Sequence, residues 1–290
     1  MMNTQKELEA LLQLIDDPDQ EVFEAVSNRI LSYGLSVLDK LENLWETSPD
    51  SVLQERIENI VHRLHYNNLV TDFADWSRSA HHELLPGALL VAKFLYPELK
   101  TAQVIHDIER LKRNIWLELN NYLTPLEQVT VFNSILYRYF GLTGDYNTPE
   151  RPNDFLISKI IESKKGNQTG IGVLYLVLSE LLDLPIKLIA LPKQFALAYC
   201  KPFTFKTTED PLQQIEFFID PVTGQAFSHT DLQNYLNRIT VTPLPQYFTP
   251  CNNKQVIQRL VMDFAQCYAQ PGDGKPSMYQ ELLELAKLLE

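Results

Sequence analysis

Apolar positions along the first half of the chain recur at helical spacing. Leu8, Leu11, Leu12 and Ile15 lie on one face, and the run DDPDQEV then breaks the pattern and supplies a new acidic start. Val22, Val26, Ile30 and Leu31 form the stripe of a second helix, which Gly34 closes as a C-cap. Two more helices are predicted over about 36–46 and 51–64. From 69 to 140 the period stays helical. Thr101 is the predicted N-cap of a helix running to about 122, with Val104, Ile105, Ile108, Leu111, Ile115 and Leu119 as its buried stripe. Thr124-Pro125 starts the next, through Tyr139, because proline fits the first helical turn without losing a hydrogen bond.

Beyond that point the pattern changes. GLTGDYNTPERPN at 141–153 is an irregular loop with two glycines and two prolines. A helix over 168–182 follows, apolar on all sides. IKLIAL (186–191), FALAYC (195–200) and IEFFID (215–220) then read as short strands, with 201–213 as an exposed hairpin connection. Asp220-Pro221 and VTGQ turn the chain out of the sheet, and helices over about 252–268 and 275–289 complete it. Many helices, one buried helix, a few strands and more helices make an α+β order, mostly helical, rather than alternating βαβ units.

Composition narrows the function classes. Of 290 residues 45% are apolar and 21% charged, which specifies a globular chain. The net charge of −12 and the absence of any Lys/Arg block disfavour nucleic acid and anionic membrane, both of which need a basic face. Three scattered cysteines, Cys200, Cys251 and Cys267, make neither a disulfide framework nor a metal-binding pair. The opening MMNTQKELEALLQLIDDPDQ has no basic flank before an apolar run, so no signal peptide is expected, and no apolar run reaches membrane-spanning length. The expected location is the cytoplasm.

The central helix raises the chemical question. Its start carries unpaired N–H groups and the positive end of the helix dipole. A thiol there would ionise readily, a histidine on the adjoining strand would complete a cysteine–histidine pair, and a carboxylate on the next would orient it. The stretch KKGNQTGIGVLYLVLSELLDLP (164–185), followed by LPKQFALAY and FIDPVTGQAFS, has this layout. Here the chain resembles the transglutaminase-like superfamily, which shares the papain-like fold, and more closely its bacterial SirB-type branch. The resemblance covers roughly 84–290. It implies a papain/transglutaminase-like core, with the central helix packed on a small antiparallel sheet. Carried over position by position, it places the nucleophile at Gln168, the histidine at Gln194 and the orienting carboxylate at Asp220. A glutamine amide is neither nucleophile nor base at neutral pH, so cysteine-type transfer is not expected. The three positions are expected to meet instead as a hydrogen-bonded remnant of a catalytic triad.

The remaining candidates have plainer readings. Thr169 is expected to cap the central helix, Asn153 to bond backbone and cap the helix after its loop, and His229 to open a helix. All three are possible neighbours of a groove at the triad positions. Cys200 is a structural thiol at a strand end. His62 with His65, and His81 with His82, lack a third ligand at suitable spacing, so neither metal nor other cofactor is expected. LPQYFTPCNN (244–253) is a strap over the core rather than a partner-facing segment. LLQLIDDPDQEVFEAVSNRILSYG resembles a HEAT-type helical hairpin. The expected organisation is an N-terminal helical extension over 1–83 and a transglutaminase-like domain over 84–290. The expected function is a catalytically inactive, regulatory module that binds an unidentified protein or peptide. Two alternatives stay open: a hydrolase or transferase with altered chemistry around Asp220, and a purely structural or assembly protein.

Overall fold

The alternation of apolar stripes and breakers becomes a series of helices in the computed structural model, which describes residues 2–146, 151–192, 194–201, 211–269 and 276–290. α1 (Met2–Gln13), α2 (Gln20–Leu31), α3 (Leu38–Thr47) and α4 (Ser51–Arg78) come first. Asp19 caps α2, its carboxylate accepting from the Glu21 N–H at 2.8 Å. Ile15, Ile30, Leu41, Ile57 and Ile60 form a fully buried core among these helices. Arg56 of α4 closes the end of α1 by donating to the carbonyls of Ile15 and Asp17 at 2.7 and 2.6 Å.

The chain divides into two units within α4, after Asp75, rather than between 83 and 84. The reason lies in the last turn of α4. Trp76 is buried and donates to the Glu83 carbonyl at 3.1 Å, and Ser77 donates to the Leu288 carbonyl at 2.8 Å. These contacts tie residues 76–83 to the second unit.

The second unit continues with α5 (Leu84–Leu95), α6 (Thr101–Glu118) and α7 (Pro125–Asn133). Thr124 and Glu127 form a capping box at the start of α7, with Pro125 in its first turn as expected. α6 starts without the expected cap: Lys100 holds the N-cap position, and no side chain bonds the first turn. It also ends early, at Glu118, where the Asn120 side chain accepts from the Tyr122 N–H and bends the chain away. α7 does not run on to Tyr139 as an α-helix; Ser134–Tyr139 is a π-helical turn.

Next come β1 (Thr143–Gly144), α8 (Ile157–Ser163), β2 (Lys165–Gly166) and α9 (Gln168–Leu181). β3 (Ile186–Ile189), β4 (Ala196–Cys200), β5 (Ile215–Ile219) and β6 (Ala226–Phe227) follow, then α10 (His229–Arg238), α11 (Asn253–Ala265) and α12 (Pro276–Lys287). β1 and β2 pair in parallel, while β3-β4-β5-β6 form one antiparallel sheet with Ile186 opposite Tyr199 and Leu197 opposite Ile219. Every residue of α9 from Thr169 to Ser179 is buried. It is a central helix, covered by α5, α8, α11 and β3. On the other face of the sheet Ile189, Ala196, Ala198 and Phe218 pack with Leu232 and Leu236 of α10. The 244–253 segment is indeed a strap: Phe248 is buried, Pro250 bridges to Ile189, and the Cys251 N–H donates to the Leu188 carbonyl at 2.8 Å. Part of the 141–153 loop and most of the 201–213 connection lie outside the described residues. No helix among the described residues is long and apolar enough to cross a membrane.

Candidate functional site at the head of the central helix

Asn167 is the residue that caps α9. Its Oδ1 accepts from the Gly170 N–H at 2.8 Å, and its own N–H donates to the Asp154 carbonyl at 3.1 Å. Gln168 is thus the first helical residue, half-buried, with the free N–H groups of the helix start around it. Thr169, expected to cap, is instead buried and donates to Oδ2 of Asp263 on α11 at 2.7 Å. The Arg259 Nε donates to both oxygens of the same carboxylate at 2.8 Å. Asn167 leaves no capping site to fill, so the threonine hydroxyl finds its partner on the neighbouring helix.

Two other segments converge on this first turn. A side chain at Gly172 would collide with the Phe195 ring, 2.3–2.4 Å from where its Cβ would stand. The glycine lets the segment carrying half-buried Gln194 lie against α9. The opposite approach is made by the turn after β5. Gly144 of β1 packs against both Ile171 of α9 and Val222, two residues beyond Asp220. That turn is tight. The Gly224 N–H donates to the Asp220 carbonyl at 2.8 Å, and Gly224 has φ +71°, which a residue with Cβ adopts only under strain.

The segments bearing Gln194 and Asp220 therefore approach α9 near Gly172 and Ile171, without the expected network between the three positions among the described residues. No hydrogen bond joins them among the described residues. The Asp220 carboxylate accepts from the Val222 N–H at 3.0 Å, from the Thr223 hydroxyl at 2.7 Å, and from the Tyr146 hydroxyl. With its turn and a tyrosine satisfying it, the carboxylate has no need of either amide. The Tyr146 hydroxyl is pushed up by burial and further by its bond to Asp220, so it stays protonated as a donor.

A second row of polar groups supports the turn from behind. The fully buried Tyr175 of α9 donates to Asn133 Oδ1 at 3.0 Å, and Asn133 Nδ2 donates to the Gly224 carbonyl at 2.5 Å. Tyr137, on the π-helical turn, donates to the Pro221 carbonyl at 2.6 Å. Its hydroxyl is pushed up by burial, then by the neighbouring charge of Asp220. Sequence reasoning missed Asn133, Tyr137, Tyr146 and Asp263. Asn133 and Tyr137 do stand four residues apart near the end of a helix, and Asp263 is a lone acid in the apolar face of VMDFA. Those are the only local signals they leave.

The remaining candidates lie elsewhere. Asn153 caps nothing; its Oδ1 accepts from the Tyr96 hydroxyl at 2.9 Å, and the helix after it starts from Leu156. His229 does open α10, but its ring packs edge-on to Phe218 at 5.2 Å, on the α10 face of the sheet. The thiol of Cys200 is pushed up to about 11 by burial, and that of Cys251 is raised for the same reason. Burial acts in the direction opposite to activation. Among the described residues no group of three or more His, Cys, Asp or Glu side chains is placed to hold a metal ion.

Comparison with known proteins bears on the family of the chain. The model of the transglutaminase-like superfamily matches residues 102–262, more than half of the chain. The chain belongs to the transglutaminase-like superfamily. Within it, the chain is similar to protein SirB1 of Salmonella typhimurium, 21% identical over 182 residues, covering 61% of this chain and 64% of the relative. It is similar also to the UPF0162 protein of Vibrio cholerae, 25% identical over 180 residues, covering 61% of this chain and 63% of the relative. The match thus spans less than two thirds of either relative. No solved structure matches the chain. The superfamily assignment and the SirB-type likeness agree with the resemblance carried by 155–199 and the Asp-Pro turn.

Proposed function

We propose that this transglutaminase-like domain has lost cysteine chemistry and acts by binding a protein or an extended peptide at the head of α9, in a regulatory role. The observation that carries the reading is Gln168 as the first residue of the central helix, where the superfamily motif has its thiol. Glutamines at 168 and 194 offer both donors and acceptors, which suits them to the amide groups of a peptide backbone. Cys200 ends β4, Cys251 lies in the strap, and Cys267 follows α11. The Thr169–Asp263 pair does not favour the alternative of altered chemistry. Both oxygens of that carboxylate are already engaged by the Arg259 Nε at 2.8 Å.

Restoring the motif tests the assignment of positions. The double substitution Gln168→Cys with Gln194→His is expected to give a thiol alkylated by iodoacetamide at pH 7 at least tenfold faster than in Gln168→Cys alone, as an imidazole within reach would cause. Equal rates in the two variants would reject the assignment. Peptides selected from a random library on the unsubstituted protein are expected to bind at least tenfold more weakly to Gln168→Arg. Turnover of peptide amides by the unsubstituted protein would overturn the whole reading.

A further inference from the structure

The outer face of α6 is not what a solvated helix face requires. Val104, Ile108, Leu111 and Ile115 are buried on one side of this 18-residue helix, so the opposite side should be polar. It carries instead Ile105, Trp116 and Leu117, which are 40%, 64% and 66% exposed, and the chain just beyond the helix adds Tyr122 at 96%. Large apolar side chains grouped in the open mark contact surfaces, and tryptophan is the residue most enriched at their centres.

Charges stand between the apolar ends. At about 3.6 residues per turn, Glu109 and Arg113 fall near the middle of the exposed face. Ile105 and His106 lie one turn before them, and Trp116 and Leu117 one turn after. Arg113 is exposed and makes no ion pair among the described residues. Glu109 is reached by Lys112 of the same helix at 3.3 Å, an exposed pair of the kind that holds its partners weakly. From either end the face therefore runs apolar, charged, oppositely charged, apolar, and reversing it exchanges the acid for the base. Such a surface complements itself across a two-fold axis. A parallel pair of these helices would set Glu109 against Glu109 and Arg113 against Arg113. An antiparallel pair centred beside Leu111 sets each Glu109 against the partner's Arg113, and Ile105 and His106 against the partner's Trp116 and Leu117. The contact from 105 to 117 would run about 18 Å along each helix. We infer that the exposed face of α6 is a docking surface for a second copy of this chain, joined as an antiparallel, two-fold symmetric helix pair. Trp116 and Leu117 supply the apolar contact, and the two Glu109–Arg113 pairs fix direction and register. This goes beyond the peptide-binding reading and does not rest on it.

Sedimentation velocity on the full chain over a dilution series tests the pairing. The unsubstituted protein is expected to form a dimer that dissociates on dilution. Glu109→Arg and Arg113→Glu each set like charges across the axis and are expected to weaken the dimer at least tenfold. Trp116→Asp should do the same by removing apolar contact. Mixing the Glu109→Arg and Arg113→Glu proteins is expected to restore a dimer at least tenfold tighter than either forms alone, because in the mixed pair each arginine again meets a glutamate. Recovery on mixing also shows that both variants are folded. The inference is overturned if the unsubstituted chain sediments as a monomer at every concentration, which would leave the face to a different partner. It is overturned equally if the single reversals leave the dimer unchanged, or if the mixture is no tighter than its components.

Discussion

Asn133 shows what a single residue does for this site. It accepts from the Tyr175 hydroxyl and donates to the Gly224 carbonyl, joining the central helix to the turn that holds Asp220. Asn133→Ala leaves a fully buried hydroxyl without a partner, at a cost of about 1–3 kcal/mol, with more from the orphaned carbonyl. Tyr175→Phe in the Asn133→Ala background should recover part of that loss in urea unfolding, because it removes the unpaired donor. A strictly additive pair would mean the bond contributes nothing. The thiols give a second prediction at this scale. Cys200, raised from 9.0 to about 11, should hold about a hundredfold less thiolate at pH 8 than an unperturbed cysteine and react correspondingly slowly with iodoacetamide. Labelling as fast as a free peptide thiol would reopen it as a displaced nucleophile. The helix start at Gln168 and the turn at Asp220-Pro221 were legible in the sequence because each leaves a local mark. Asn133 and Asp263 were not, because their partners lie 42 and 94 residues away and no local period encodes such a contact.

At the scale of elements, apolar spacing located the helices and strands, and side-chain chemistry decided where they stop. The predicted helix from 101 overran its end because Leu119 continues the apolar stripe, whereas the Asn120 side chain turns the backbone. The π-helical turn at Ser134–Tyr139 was hidden for a related reason: one wider turn barely disturbs a run of apolar and aromatic residues. Yet that turn carries Tyr137, which donates to the Pro221 carbonyl. The join between α9 and the start of β4 rests on the fit of Phe195 over Gly172. Gly172→Ala is expected to cost about 1–3 kcal/mol by overpacking, although alanine is the better helix former. In a Phe195→Leu background the same substitution should cost less or become stabilising. Equal costs in the two backgrounds, measured by urea unfolding, would mean that Phe195 does not hold this segment on the helix.

For the whole molecule, the order of helices, one buried helix, strands and helices was enough to assign an α+β chain, since each class leaves its own period in the sequence. The burial of polar groups that accompanies this fold was not visible there, and it makes stability depend on pH. Tyr175 lies inside the core and Tyr137 against the Asp-Pro turn, and burial raises both hydroxyls above the usual 10.0. A group whose folded pKa is raised stabilises the fold fully below its unfolded value, and that contribution declines as pH climbs past it. The unfolded chain therefore releases these protons first, from about pH 10, while the folded chain keeps them. In that window each tyrosine lowers stability by about 1.4 kcal/mol per pH unit. Stability should be flat in this respect from pH 7 to 9 and fall steeply from 10 to 12. Tyr175→Phe should reduce the slope by about 1.4 kcal/mol per pH unit while lowering stability at pH 7, which separates titration from packing. Phenolate absorbance offers the decisive check among the 13 tyrosines. Tyr137 and Tyr175 should ionise only together with the loss of the circular dichroism. Full ionisation of all 13 in a chain still folded would show that the tyrosines behind the Asp220 turn are open to water, and that the turn is not held as described.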